Sequence, residues 1–252
     1  MEFGLRGRTA FVTGATGRIG RATAVAFAVE GANVVVAYHS AESAARDVVA
    51  EVEWHGVKAL PLRLDLGDEA SVDAAAADAL AMFGAVDVLV NNAVEWPPFP
   101  SPGEVFETVP AVRLRSSLRA NLEGPYLLAR ALVGPMRARG WGRIINVSTG
   151  LVTDGLPGSA PYTTPKAGLH GLTRTMSREL AAAGILTNVV MAGFTPGDRP
   201  MPEEMVARAR AAAATGRVTE AREVASLIVY LGSAANGHVT GELIRVDGHF
   251  AA

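Results

Sequence analysis

The sequence predicts a doubly wound α/β fold: a mostly parallel sheet of seven strands with helices on both faces. Three observations predict it. Short runs rich in Val, Ile and Leu alternate with longer segments of helical pattern along the whole chain. Several of these runs are nearly continuous in apolar residues, as strands covered on both faces are. The first run also leads straight into a glycine-rich turn and a helix, the start of a right-handed strand-helix-strand crossover.

In order, the strand candidates are TAFVT (9–13), NVVVAY (33–38), KALPLRL (58–64), VDVLV (86–90), GRIINV (142–147), ILTNVV (185–190) and ELIRV (242–246). Between the first two lies RIGRATAVAFAVEG, in which Ile19, Ala22, Ala26 and Val29 share a helical stripe and Gly31 is a C-terminal stop. The alanine runs at 74–77 and 211–214 read as good helix formers. Proline and glycine concentrate in WPPFPSPG (96–103) and GFTPGDRPMP (193–202). Both segments follow strands at their carboxyl ends, where such sheets bind ligands, and are expected to wall a pocket. The second opens a small substrate lid at about 193–215. No repeat, linker or charge block divides the chain, so 1–252 reads as one domain, at the upper end of what one core supports.

Hydrophobic residues make up 49% of the 252, charged residues 19%, and the formal net charge is −2 with both signs interspersed. That balance argues against a nucleic-acid or anionic-membrane partner. The absence of cysteine excludes disulfides, thiolate metal sites and a cysteine nucleophile. Five scattered histidines lack a ligand spacing, so no metal site is expected. No apolar run reaches the roughly 18–20 residues that span a bilayer, and the opening MEFGLRGRTAFVTG lacks the apolar core of a signal peptide. A soluble cytoplasmic protein is the expectation. The 23 basic residues include only two lysines, Lys58 and Lys166, which draws notice to each.

The turn after the first strand reads TGATGRIG (13–20). Glycines there let the backbone turn tightly and approach a pyrophosphate, whose charge is met by the free N–H groups of the helix N-terminus. Gly14, Thr16, Gly17, Arg18, Ile19 and Gly20 are thus candidates for dinucleotide binding. In NAD binders an acid about 20 residues on holds the ribose 2′-hydroxyl. Here the second strand ends AYHS (37–40), and the first acid after it is Glu42, beyond a turn. His39, Ser40 and Arg18 are able to donate to a 2′-phosphate, which favours NADP(H); on the simpler reading His39 and Ser40 only begin a loop.

YTTPK (162–166) opens a helical segment and places Tyr162 and Lys166 one turn apart on one face. A cation beside a phenol favours the phenolate and lowers a pKa of about 10, letting a tyrosine exchange protons near neutral pH.

With this pair in view, the chain resembles the short-chain dehydrogenase/reductase family along essentially its whole length. The matching pieces are TGATGRIG (13–20), LDL (64–66), NNA (91–93), Asn121 in RANLEGPY, NVST (146–149), YTTPK (162–166), NVVMAGF (188–194) and TGELIRVDG (240–248), in the family's order. The likeness is greatest to 3-oxoacyl carrier-protein reductases and polyketide ketoreductases. It implies a Rossmann-type fold and a set of roles. Tyr162 would protonate a carbonyl oxygen as hydride arrives, and Lys166 would lower its pKa and hold the nicotinamide ribose. Asn121 would anchor a water in a proton relay to Lys166. Asp65 would accept from the adenine amino group with Leu66 beside the ring, and Asn91 and Ala93 would line the adenosine ribose. Residues 190–195 would flank the nicotinamide, with Thr195 a partner for its carboxamide. By residue type alone, Asn121 is also a helix-kink residue and Asp65 a strand-end turn former.

The chain departs from the family's pattern at several places. Arg18 stands where the middle glycine is usual, as in pteridine reductases, and is able to clamp phosphate or face the substrate. Val94, Ala192 and His249 replace a glycine, a proline and a glycine. The family's carbonyl-polarising serine lies thirteen residues before its tyrosine; here that position is Thr149, with Ser148 the alternative should the intervening loop hold an extra residue.

These readings together describe an NADP(H)-dependent reductase of a ketone on a small to medium apolar substrate. Trp96, Phe99, Leu151, Phe194, Met201 and Met205 are candidate walls, equally readable as core or subunit interface. Alcohol oxidation, or imine or pterin reduction, on the same site remains an alternative, as does an NADP(H)-binding protein without turnover. The family's habit of pairing helices such as those at about 104–138 and 161–183 implies a homo-oligomer, dimer or tetramer.

Overall fold

The computed structural model describes residues 2–96, 105–196 and 201–249. All seven expected strands form: β1 (Thr9–Val12), β2 (Asn33–Tyr38), β3 (Ala59–Arg63), β4 (Val88–Asn91), β5 (Gly142–Thr149), β6 (Ile185–Ala192) and β7 (Leu243–Val246). They pair in the order β3-β2-β1-β4-β5-β6-β7, every neighbour parallel. The order reverses between β1 and β4, which opens a crevice at their carboxyl ends. The helices, in chain order, are α1 (Arg18–Val29), α2 (Glu42–Glu53), α3 (Glu69–Phe83), α4 (Ala111–Leu118), α5 (Gly124–Ala138), α6 (Leu151–Asp154), α7 (Ala160–Leu180), α8 (Glu203–Ala212) and α9 (Ala221–Leu231).

Alternation along each strand feeds two cores. Ala10, Val12, Val34 and Val36 pack with Phe27 of α1, Val48 of α2 and Ile228 of α9. Phe11, Val35, Leu89 and Ile144 pack on the other face with Val72 of α3, Leu128 of α5 and Met176 of α7. Pro61 lies in β3, an edge strand, where a residue without an N–H is tolerated. Among the described residues no helix is long and apolar enough to cross a membrane.

Two local expectations change. The buried stripe of α1 is Gly20, Thr23, Ala24, Phe27 and Ala28, whereas Ile19, Ala22 and Ala26 are half-buried and Val29 is 59% exposed. Small residues at three- and four-residue spacing let α1 close onto both the sheet and α9, and that contact decides its rotation. The alanines at 211–214 do not all stay helical: α8 stops at Ala212, and Ala214 N donates to His249 O. A tertiary hydrogen bond there outweighs propensity.

Candidate active site

The crevice between β1 and β4 is built by backbone and small side chains. Thr13 Oγ1 donates to Val90 O (3.2 Å) and accepts from Asn92 N and Ala93 N, each 2.9 Å away. Asn92 Nδ2 donates to Thr13 O (2.9 Å) and Gly14 O (3.2 Å). Sequence reasoning missed this lock, whose only signal was the pair of matching segments. Gly14 has φ +62°, and a Cβ there would stand 2.8 Å from Ala93 Cα; one on Gly20 would stand 2.2 Å from Gly14 O. Both positions therefore require glycine. Gly17 caps α1 without a side-chain hydrogen bond, which leaves the N–H groups of the first turn for a ligand. Thr16 is half-buried there, and Ile19 packs partly against the core. Arg18 is exposed and its Nη1 donates to Pro196 O, so it spans from the glycine turn to the segment after β6.

At the far end of the crevice, His39 and Ser40 are exposed where β2 ends. His39 Nε2 lies 3.5 Å from Asp65 Oδ2. Asp65 Oδ1 also accepts from Gly67 N (2.8 Å), the turn-forming contact expected from its residue type. Leu66 is buried and Ala93 half-buried. Asn91 differs from expectation. Its side chain points into the core, donating to Asn146 Oδ1 (2.9 Å), and Asn146 donates to Thr173 Oγ1 (2.8 Å). Strand parity puts it on the Leu89 side of the sheet, between β4, β5 and α7, where its own Oδ1 is buried without a hydrogen-bond partner among the described residues.

The reactive groups sit where β5 ends. All eight residues of β5 are buried, and its last two hydroxyls face opposite ways. Ser148 Oγ is 2.8 Å from His170 Nε2 and donates to Lys166 O (3.5 Å). The Thr149 side chain lies close enough to the Tyr162 phenol to influence its titration, and its Oγ1 accepts from Leu151 N (3.3 Å). Tyr162 and Lys166 both lie on the buried face of α7, and Lys166 Nζ donates to Val147 O (2.8 Å).

Burial pushes the Tyr162 phenol up to about 12, with the Thr149 hydrogen bond pulling the other way. This reverses the expected direction: desolvation of the phenolate outweighs the stabilising contacts. Desolvation likewise brings Lys166 down to about 8. His170 is lowered by burial first and then by the charges of Arg174 and Lys166.

Asn121 lies in a π-helical turn, Arg119–Glu123, between α4 and α5. Its Oδ1 accepts from Glu95 N (2.8 Å), and its Nδ2 donates to Glu95 O (2.9 Å) and Ser117 Oγ (2.8 Å). The amide thus clamps the segment after β4, and the next residue, Trp96, stacks on Tyr162. On the other side of Thr149, α6 is tied to β7 by Arg245, which donates to both oxygens of Asp154 (3.2 and 2.8 Å) and to Asp247 Oδ2 (2.6 Å). Thr195 Oγ1 donates to Gly193 O (3.1 Å), which leaves the hydroxyl its acceptor lone pairs. Among the wall candidates, Leu151, Phe194 and Met201 are half-buried and Met205 is 40% exposed. Phe99 and residues 197–200 of the expected lid lie outside the described residues.

Residues 14–250 match the family described as Enoyl-(Acyl carrier protein) reductase. The chain is 32% identical over 250 residues to the 3-oxoacyl-(acyl-carrier-protein) reductase FabG of Aquifex aeolicus, covering 98% of this chain and 99% of that one. Among solved structures it is similar to LugOII, described as a promiscuous reductase catalysing keto-reduction at C1 in lugdunomycin biosynthesis. That match has a TM-score of 0.88 and 35% identity, over 97% of this chain and 98% of the other. A 7α-hydroxysteroid dehydrogenase complexed with NADH and 7-oxo glycochenodeoxycholic acid matches with a TM-score of 0.92 and 27% identity, over 99% and 96%. With the parallel sheet, the glycine-lined crevice and the Thr149–Tyr162–Lys166 grouping, these likenesses show that the chain belongs to the short-chain dehydrogenase/reductase family, an oxidoreductase of carbonyl or alcohol groups.

Proposed function

We propose that this protein is an NADP(H)-dependent reductase that converts the ketone of a small to medium apolar substrate to a secondary alcohol. The observation that carries the reading is the grouping of Thr149, at the carboxyl end of β5, with Tyr162 and a buried Lys166 on the facing side of α7. Gly14, Gly17 and Gly20 would hold a nicotinamide dinucleotide in the crevice, and that cofactor would supply the hydride that the carbonyl carbon takes up. Thr149 donates to the carbonyl oxygen and orients it. Tyr162, kept protonated at neutral pH by burial, transfers its proton to that oxygen as negative charge builds there. Lys166 holds a positive charge or a donor beneath the site, and Asn121 keeps Glu95 and Trp96 in place along its wall. The reverse oxidation uses the same groups.

The crevice suits a dinucleotide: Gly14 and Gly20 let backbone come close, and the first turn of α1 has no side-chain cap. The preference for NADP(H) is supported by the end of β2, where His39 and Ser40 are exposed and Glu42 lies within α2, paired with Arg46. Asp65, Leu66 and Ala93 are assigned to the adenosine half, Thr195 to the carboxamide, and 193–215, including α8, to the lid. A homo-oligomer, dimer or tetramer, is supported by a surface hollow lined by Leu118, Leu122, Glu123, Tyr126 and Leu172 on α4, the π turn, α5 and α7.

The test is cofactor oxidation over a panel of ketones. Tyr162→Phe is expected to lose about 10³-fold or more in kcat while still binding cofactor, and NADPH is expected to show a lower KM than NADH. Wild-type turnover by Tyr162→Phe would sink the mechanism, and a lower KM for NADH would reverse the cofactor assignment.

A further inference from the structure

Trp96 lies on the ring of Tyr162, with centroids 4.6 Å apart and planes 23° from parallel. Despite this contact, Trp96 is 62% exposed. At the start of α7 lies a hollow of about 430 Å³ lined by Val105, Phe106, Leu156, Pro157, Ser159 and Thr163, among others. Phe106 is 80% exposed, Leu156 49% and Val105 47%. Large apolar side chains left in water around a hollow on the helix that carries Tyr162 mark a ligand surface. The cavity's hydroxyls are already spent: Ser159 Oγ donates to Leu156 O (2.6 Å) and Thr163 Oγ1 to Ser159 O (3.1 Å). Among the described residues, no charged side chain lines it.

We propose that Trp96 is a specificity-determining residue and that the substrate is a flat, uncharged aromatic ketone, bound with its ring against the indole and its carbonyl at Thr149 and Tyr162. This rests on the ketoreductase reading and names its substrate class. A planar ring on an indole gains a stacking attraction that a saturated ring of the same outline does not. A phosphate or carboxylate on the substrate would meet no cation among the described residues that line the hollow, which disfavours charged substrates. The clamp of Asn121 on Glu95 holds the backbone that adjoins Trp96.

A matched pair of bicyclic ketones tests this: 2-tetralone, which carries one aromatic ring, and trans-2-decalone, which carries none. Wild type is expected to favour 2-tetralone in kcat/KM by about three- to tenfold, the worth of one aromatic stack. Trp96→Leu is expected to erase that preference, mainly by raising KM for 2-tetralone, and Trp96→Phe to keep most of it. In a readout without turnover, 2-naphthol is expected to quench the fluorescence contributed by Trp96, taken as the difference between wild type and Trp96→Phe. Equal kcat/KM for the two ketones in wild type, or an unchanged preference in Trp96→Leu, overturns the proposal and leaves the ketoreductase reading standing. Oxidation of cofactor by neither ketone nor any other carbonyl overturns both.

Discussion

Two neighbouring hydroxyls at the end of β5 have different partners because successive residues of a strand face opposite ways. Thr149 meets Tyr162, and Ser148 meets His170. Thr149→Ala is expected to lower kcat by about 10²-fold, as loss of one donor to a developing oxyanion does, and Ser148→Ala by much less. Steady-state assays in the reverse order would reassign the donor. Lys166 titrates near 8 when folded against 10.5 as its ordinary value. Between those values the unfolded chain binds the extra proton, so this group's contribution to stability rises with pH; below about 8 its burial penalty is constant, on the order of 3 kcal/mol. Lys166→Met is therefore expected to be more stable than wild type at pH 7.5, with a gap that narrows towards pH 10. Urea unfolding at the two pH values checks this, and Tyr162, common to both proteins, cancels. Residue identity alone did not convey these differences, because burial sets the direction of each shift. At His249, which stands where the resemblance has glycine, φ is +58°, the region glycine prefers.

Among the elements, the segment from Gly150 to Asp154 closes its own helical turn, packs on α7 and is also tied by side chains to β7. Arg245 binds Asp154 in a bidentate pair, and a Cβ on Gly150 would stand 2.8 Å from Arg245 Nη2. Arg245→Met would leave the carboxylates of Asp154 and Asp247 with side chains only 12% and 4% exposed. A loss of about 2–3 kcal/mol is expected, below the fully buried range because Arg245 itself is partly exposed. Since α6 leads into the Leu156 cavity, KM is expected to rise more than kcat falls. Urea midpoints and steady-state kinetics read the two effects, and a variant with wild-type values for both would show that the tie does not hold the loop. Strand positions were legible because each depends on its own apolar run. The stripe of α1 was not, because its rotation is set by α9, some two hundred residues further along the chain.

For the molecule as a whole, parallel strands and the reversal between β1 and β4 bring residues from the first, fourth, fifth and sixth strands to one crevice. The helices α4, α5 and α7 leave the Leu118, Leu122, Tyr126 and Leu172 hollow on the surface, with Tyr126 47% exposed. Leu122→Arg is expected to shift a dimer or tetramer towards monomer in sedimentation velocity; wild type sedimenting as a monomer would remove the assembly from the reading. The sequence by itself determined the strand order along the chain, the glycine turn, and the Tyr162–Lys166 spacing, since each is a local pattern of period or spacing. Between Thr149 and Ser148 it offered only the thirteen-residue spacing to Tyr162 implied by the family resemblance, with Ser148 kept as the alternative. Only the tertiary structure decided that Trp96 covers Tyr162, that Asn91 turns inward, and that Arg245 reaches Asp154. Those contacts join segments far apart in sequence, and their geometry follows from sheet register and helix packing, which no local pattern encodes.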